Sequence, residues 1–300
     1  MPKTPTMNLA FNQLLRPIIK IKHLLVSGAV LGFLTLNAQA ATVSVSNYPM
    51  FLLSEAVTEG TPSANRILQA GDVGHHGSVS PSDMKAIKDS KFVVWFGPSL
   101  ENSLTGSLQT APNAISMLDF DAFNRYPLRD VKGAPIENTL DPHIWLDPEN
   151  AKAITRALAV IHSRANPEHT STYQSNVKKF AARMDEAVAE IQQGSQKGRP
   201  YWAYHDAYQY IEKAAHIKLA GSLSTDHHIS PKASQLRWLN ENRPVDQMCM
   251  VNQGAVPKGL LAKLQPVKTT IQIEDMSFSK DFVEGWTSMA QQINDCIAGK

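Results

Sequence analysis

The stretch from Pro167 to Gln193 constrains the fold most. It has no interior Pro or Gly, and Tyr173, Val177, Phe180, Met184, Val188 and Ile191 recur along it at spacings of three and four, the period of one apolar helical face. At 1.5 Å per residue, one continuous helix of about 27 residues reaches about 40 Å, more than a single small domain needs. Gly194-Ser195-Gln196-Lys197-Gly198 ends it. The domain boundary is therefore placed on this helix, with an N-terminal lobe over residues 41–165, a linking segment over 166–198 and a C-terminal lobe over 199–300.

Short β-like runs flank that helix, at Thr42 to Ser46 and Lys91 to Phe96 before it, and at Tyr201 to Tyr204, Gln247 to Val251 and Thr269 to Ile273 after it. Turn residues and then a helical pattern follow each run, the order of βαβ units. The expected fold class is α/β: two lobes with mostly parallel sheets joined by one long rigid helix. Four helix starts share one grammar, an N-cap residue followed by Pro at the first helical position: Ser80-Pro81, Asp147-Pro148, Asn166-Pro167 and Ser230-Pro231. Asp83, at the third helical position after Ser80, can return a bond to the cap.

The first forty residues carry Lys3, Arg16, Lys20 and Lys22 with no acid, then an apolar run from Leu24 to Leu36, then Ala38-Gln39-Ala40. This is the order of a secretory signal peptide, cleaved after Ala40, and the apolar run is shorter than the roughly 18 residues of a membrane span. The mature chain is expected to be soluble and outside the cytoplasm. The leader holds four of the 29 Lys and Arg and none of the 27 acids, so the mature chain is near neutral. That removes the basic footprint expected of a nucleic-acid or anionic-membrane binder. Export to an oxidising compartment points to a disulfide between Cys249 and Cys296, the two cysteines of the chain.

Three of the ten histidines sit where packing does not ask for one. His75, followed by His76, lies in the Gly-rich turn Gly71 to Gly77. His143 is held between prolines in Asp141-Pro142-His143-Ile144-Trp145-Leu146-Asp147-Pro148. His205 closes the run Tyr201 to Tyr204, at the carboxyl end of a strand where open α/β sheets gather ligands, and Asp275 follows the last β-like run in the same way. Three imidazoles with a carboxylate or a water fit tetrahedral Zn²⁺ or a neighbour such as Ni²⁺ or Co²⁺; Mn²⁺ would call for more oxygen ligands and Cu⁺ for Met or Cys. Asp206 is read either as the acceptor that orients a ligating histidine or as a helix N-cap. His227 and His228 are read as a solvated loop, and His162, His169 and His216 as surface or partly buried structural residues.

Taken in order, Gly74-His75 with Pro81-Ser82-Asp83, Trp95-Phe96-Gly97-Pro98, Asp141 to Pro148 and His205-Asp206-Ala207-Tyr208 resemble the zinc-type solute-binding proteins of metal ABC transporters, over essentially the whole mature chain. The resemblance implies two α/β lobes joined by one long helix. Zn²⁺ would be held between the lobes as cargo and handed to a membrane permease of the transporter. It implies metal-ligand roles for His75, His143 and His205, with Asp275 a candidate fourth, and a disulfide at Cys249 and Cys296. The protein is expected to be a monomer and not an enzyme.

Departures from the family pattern bear on the site. The first turn reads Gly74-His75-His76 where relatives have Pro-His and an acid, so His76 is an alternative ligand. The histidine-rich loop that many zinc-type members carry before the second ligand is missing, and Asn252-Gln253 replaces a more usual acid and proline. The rival functions are a secreted zinc hydrolase and a metal-stabilised adhesin. Against the hydrolase, the chain has neither His-Glu-x-x-His nor His-x-His-x-Asp-His.

Overall fold

Two four-stranded parallel sheets, one on each side of the long helix, organise the chain. The computed structural model describes residues 42–72, 79–193, 195, 197–225 and 230–300. Up to the long helix the order is β1 (Val43–Val45), α1 (Tyr48–Thr58), β2 (Asn65–Arg66), α2 (Pro81–Asp89), β3 (Phe92–Trp95), α3 (Asn102–Leu108), β4 (Ala114–Ser116), α4 (Pro148–Ala165) and α5 (Thr170–Gln193). It continues with β5 (Arg199–His205), α6 (Glu212–Ala215), β6 (Ile217–Ser224), α7 (Ala233–Glu241), β7 (Met248–Asn252), α8 (Lys258–Ala262), β8 (Val267–Ile271) and α9 (Phe282–Ile297). The sheets run β2-β1-β3-β4 and β6-β5-β7-β8. The two halves thus repeat one topology, and in each the strand order reverses beside the first strand, the position where α/β sheets open a crevice at their carboxyl ends.

Alternation along the strands decides which core each side chain joins. Val94 and Phe96 enter one apolar cluster with Val45, while Val93 and Trp95 enter another with Ile87 and Leu104, the period-2 rule of a strand covered on both faces. In the second sheet Tyr201, Ala203 and Val251 face inward, and Trp202, Met248 and Met250 pack outward with Leu239. The inward sides of both sheets share a single cluster, filled by α1, α4, α5 and α9. Tyr173, Phe180, Met184 and Ile191 of α5 are all buried in it, and residues 40–300 form one compact unit. The long helix is therefore less a spacer than a member of the core between the sheets.

The α/β class with two parallel sheets and a long connecting helix is as expected, and so are several helix starts. Ser80 forms a full capping box with Asp83, and the Asp147 carboxylate accepts from the backbone N–H groups of Glu149 and Asn150. Other details differ. Pro167–His169 is a separate 3₁₀ turn, and α5 begins at Thr170. The helix expected at Ser230-Pro231 starts at Ala233, where the Gln235 side chain accepts from the Lys232 backbone. Three strands, β2, β4 and β6, were not expected; the first two have only two and three residues, too few for periodicity to show. The last strand lies two residues earlier than its apolar run suggested. His216 caps α6 from the left-handed region at φ 56. His162 is 1% exposed, far deeper than a surface role requires. Cys249 and Cys296 are bonded, tying α9 to β7. Among the described residues no helix is long and apolar enough to cross a membrane.

Candidate metal centre

His143 is fixed by the residue two before it. Asp141 Oδ1 accepts from the His143 backbone N–H at 3.1 Å and lies 2.7 Å from its Nδ1, an Asx turn whose side chain also grips the ring. Asp141 is itself held, its Oδ2 by the Gln209 amide at 3.0 Å and its carbonyl by the Tyr210 hydroxyl at 2.9 Å. With Nδ1 donating to Asp141, the lone pair for a metal is on Nε2. The turn Ile144–Leu146 then leads into α4, and the Trp145 ring meets the imidazole edge-on, with their centres 5.4 Å apart.

His205 ends β5, and its ring centre lies 5.9 Å from that of His143. The third member is Glu274, whose Oε2 is 3.4 Å from His143 Nε2. One donor atom from each of His143, His205 and Glu274 lies within 4.8 Å of the other two, and all three residues are buried. Trp145 Nε1 donates to the Glu274 carbonyl at 3.1 Å, and the Gln253 amide donates to Glu274 Oε2. Burial opposes charge on His143, but the Glu274 and Asp141 carboxylates outweigh it and push its pKa up to about 10. Burial likewise raises the Asp141 carboxyl, and the adjoining imidazole overcomes that to hold it below its ordinary value.

Asp275 does not join this cluster. Its Oδ2 accepts from Gly71 N at 2.6 Å and its Oδ1 from Ser277 N at 2.9 Å. Glu274 and Asp275 are the two central residues of a turn closed by Met276 N on the Ile273 carbonyl at 3.0 Å, with Met276 at φ 55, and the two carboxylates leave it for different partners. Nothing in the composition of an adjacent Glu-Asp pair says which acid turns inward; the turn ending at Met276 and the Trp145 bond to the Glu274 carbonyl settle it. Among the described residues Asp206 caps no helix and accepts from no histidine; it takes a two-pronged bond from Arg129, Nε to Oδ2 and Nη2 to Oδ1, each 2.7 Å. His75 and His76 lie outside the described residues, as do His227 and His228. Asp141 is the orienting residue that sequence reading passed over, although an acid two positions before a histidine is itself a legible Asx-turn signal.

A nitrogen pair and a carboxylate oxygen, buried and converging from three separate segments, suit a borderline metal ion such as Zn²⁺ and leave room for a fourth donor. The family model described as zinc-uptake complex component A, periplasmic, matches residues 43–248. The high-affinity zinc uptake system protein ZnuA of Brucella abortus is 26% identical over 260 residues, covering 72% of this chain and 78% of its own. The protein of the same name from Haemophilus ducreyi is 27% identical over 240 residues, covering 71% and 76%. Among solved structures, the laminin-binding protein of Streptococcus agalactiae superposes with a TM-score of 0.68 at 21% identity, over 86% of this chain and all of that one, a likeness of fold.

Proposed function

The chain belongs to the family of periplasmic component A proteins of zinc-uptake complexes, and on that premise we propose that His143, His205 and Glu274 hold the Zn²⁺ it captures for an ABC-transporter permease. The observation that carries this is the convergence of their three donor atoms within 4.8 Å. The fourth ligand is His75, with His76 as its alternative. Support comes from the tether of Gly71 N to Asp275, which brings the chain to the residue beside Glu274 just before it enters the segment bearing those histidines.

The protein captures and releases its cargo without chemistry. The carboxylates around the cluster are committed elsewhere, Asp141 to His143 and Gln209, Asp275 to Gly71 and Ser277, and Asp206 to Arg129, which leaves none of the three to serve as a general base. We further infer that residues 1–40 are a leader cleaved after Ala40, that the mature protein is a periplasmic monomer, and that residues 41–165, 166–198 and 199–300 are its N-terminal lobe, linking segment and C-terminal lobe.

Metal analysis of protein purified without added metal, followed by a chelator competition titration, tests the proposal. One zinc per chain is expected, and saturating Zn²⁺ should raise the melting temperature, since free metal at about 1,000 times Kd adds about 4 kcal/mol to a native state that alone binds it. A metal-free protein that ignores Zn²⁺ in the titration overturns it.

A further inference from the structure

After β4 the chain leaves the first sheet and crosses to the second before it reaches Asp141. On the way, residues 129–135 close into a small hairpin. Arg129 and Pro135 form an antiparallel bridge, Asp130 Oδ1 accepts from the backbone of Lys132 and Ala134, each at 2.9 Å, and Gly133 turns the chain at φ 83. The hairpin docks on β6, the edge strand of the second sheet, through Ser222 N on the Val131 carbonyl at 2.9 Å. The edge is shaped for it. Between Tyr201 and Ala203 of β5 the partner strand carries one extra residue, and Gly221 at φ 140 lets Val131 approach, because a Cβ there would lie 3.3 Å from the Val131 carbonyl oxygen and 2.6 Å from a Leu239 methyl.

From the base of this hairpin the Arg129 side chain reaches β5. Its fork engages both oxygens of Asp206, and Nη2 also donates to Glu212 Oε1 at 2.6 Å, which accepts from the Tyr201 hydroxyl at 2.9 Å. The Arg129, Asp206 and Glu212 side chains are 11%, 5% and 15% exposed. Asp206 follows His205 by one residue and Tyr201 precedes it by four, so a residue from the first half holds the chain directly on one side of a proposed ligand and, through Glu212, on the other. A planar bidentate guanidinium fixes a carboxylate in direction as well as distance, which an ammonium cannot do.

We propose that Arg129 is a positioning residue for the metal site: the 129–135 hairpin is a strap between the two halves that sets His205 through Asp206, and zinc affinity and retention depend on it. This rests on His205 being a zinc ligand.

The test uses the full chain with Arg129→Lys, which keeps the positive charge beside the two carboxylates but loses the fork. Zinc Kd is measured by chelator competition, release by a chelator chase, metal-free stability by thermal melting, and ligand geometry by the visible spectrum of the Co²⁺ form. Expected are a Kd raised about 10- to 100-fold, the range for losing a residue that orients a ligand, faster release by a similar factor, and altered Co²⁺ bands. A lower metal-free melting temperature with Kd within about twofold of the parent and an unchanged Co²⁺ spectrum would reduce Arg129 to scaffolding and overturn the proposal. Should Arg129→Lys fail to fold, Asp130→Ala, which opens the hairpin and leaves every charge of the buried cluster in place, carries the same test. A parent protein that binds no zinc would instead overturn the functional reading.

Discussion

His162 makes a prediction that needs no metal. It lies on α4 with its Nε2 2.9 Å from the Ser54 hydroxyl of α1 and its ring 5.5 Å from that of Tyr173 on α5, at the packing of three helices that fill the shared core. Burial lowers its pKa from 6.5 to about 4. The unfolded chain therefore takes up this proton first as pH falls. The stabilising contribution is complete above about pH 6.5 and is lost as pH drops toward 4. Each unit of difference is worth about 1.4 kcal/mol, so the full loss is about 3 kcal/mol, of which about 2 kcal/mol falls between pH 7 and pH 5. Urea unfolding of the metal-free parent and of His162→Gln at both pH values isolates the effect. The cavity and hydrogen-bond cost of the substitution is independent of pH, and the carboxylates titrate alike in both proteins. The stability advantage of the parent should shrink by about 2 kcal/mol on going from pH 7 to pH 5. A constant gap would show that the ring protonates freely in the folded state and that the packing around it is not as tight as argued.

Three further outcomes follow from the site and its staple. Glu274→Gln should weaken zinc binding by more than about 100-fold and Asp275→Asn by less, because one supplies a donor and the other tethers a loop; equal losses in competition titrations would return Asp275 to the ligand set. Burial opposes a proton on His143, yet its two carboxylate neighbours keep the pKa up at about 10, so zinc must displace that proton and affinity should climb as pH rises toward that value. Calorimetry at pH 8 in buffers of different ionisation heat should show about one proton released per zinc, and near-zero release would count against this charge arrangement. Cys249→Ser with Cys296→Ser opens a bridge of sequence separation 47, worth up to about 4 kcal/mol in the chain-entropy account. The melting temperature should fall while zinc stoichiometry stays at one, and loss of zinc in the folded variant would implicate sulfur in binding.

What the sequence made legible follows from range. The helix of α5, the capping box at Ser80 and the N-cap at Asp147 are local, set by residues within a few positions of one another, and periodicity or spacing reveals them. β2 and β4 are defined by pairing with neighbours distant in sequence, and β6 bends at Gly221 to admit a strap from the other half. At the site, the confinement of His143 between prolines and the strand end at His205 drew attention to two residues that do meet in the fold. The choice between Glu274 and Asp275 depends on a turn whose direction is set by Met276 and by the Trp145 bond to the Glu274 carbonyl, a contact across 129 positions. The partners of Asp206 and Glu274, Arg129 and Gln253, lie 77 and 21 positions away; no local pattern links such pairs.

The most direct test of the central claim is the position of the ion itself. Crystals grown with one equivalent of Zn²⁺ and measured on both sides of the zinc absorption edge should give a single strong anomalous peak. It should lie at about 2.0–2.2 Å from one nitrogen each of His143 and His205 and from a Glu274 oxygen, with a fourth donor from the segment that carries His75 and His76. A zinc peak elsewhere, with no anomalous density between those three side chains, would contradict the account.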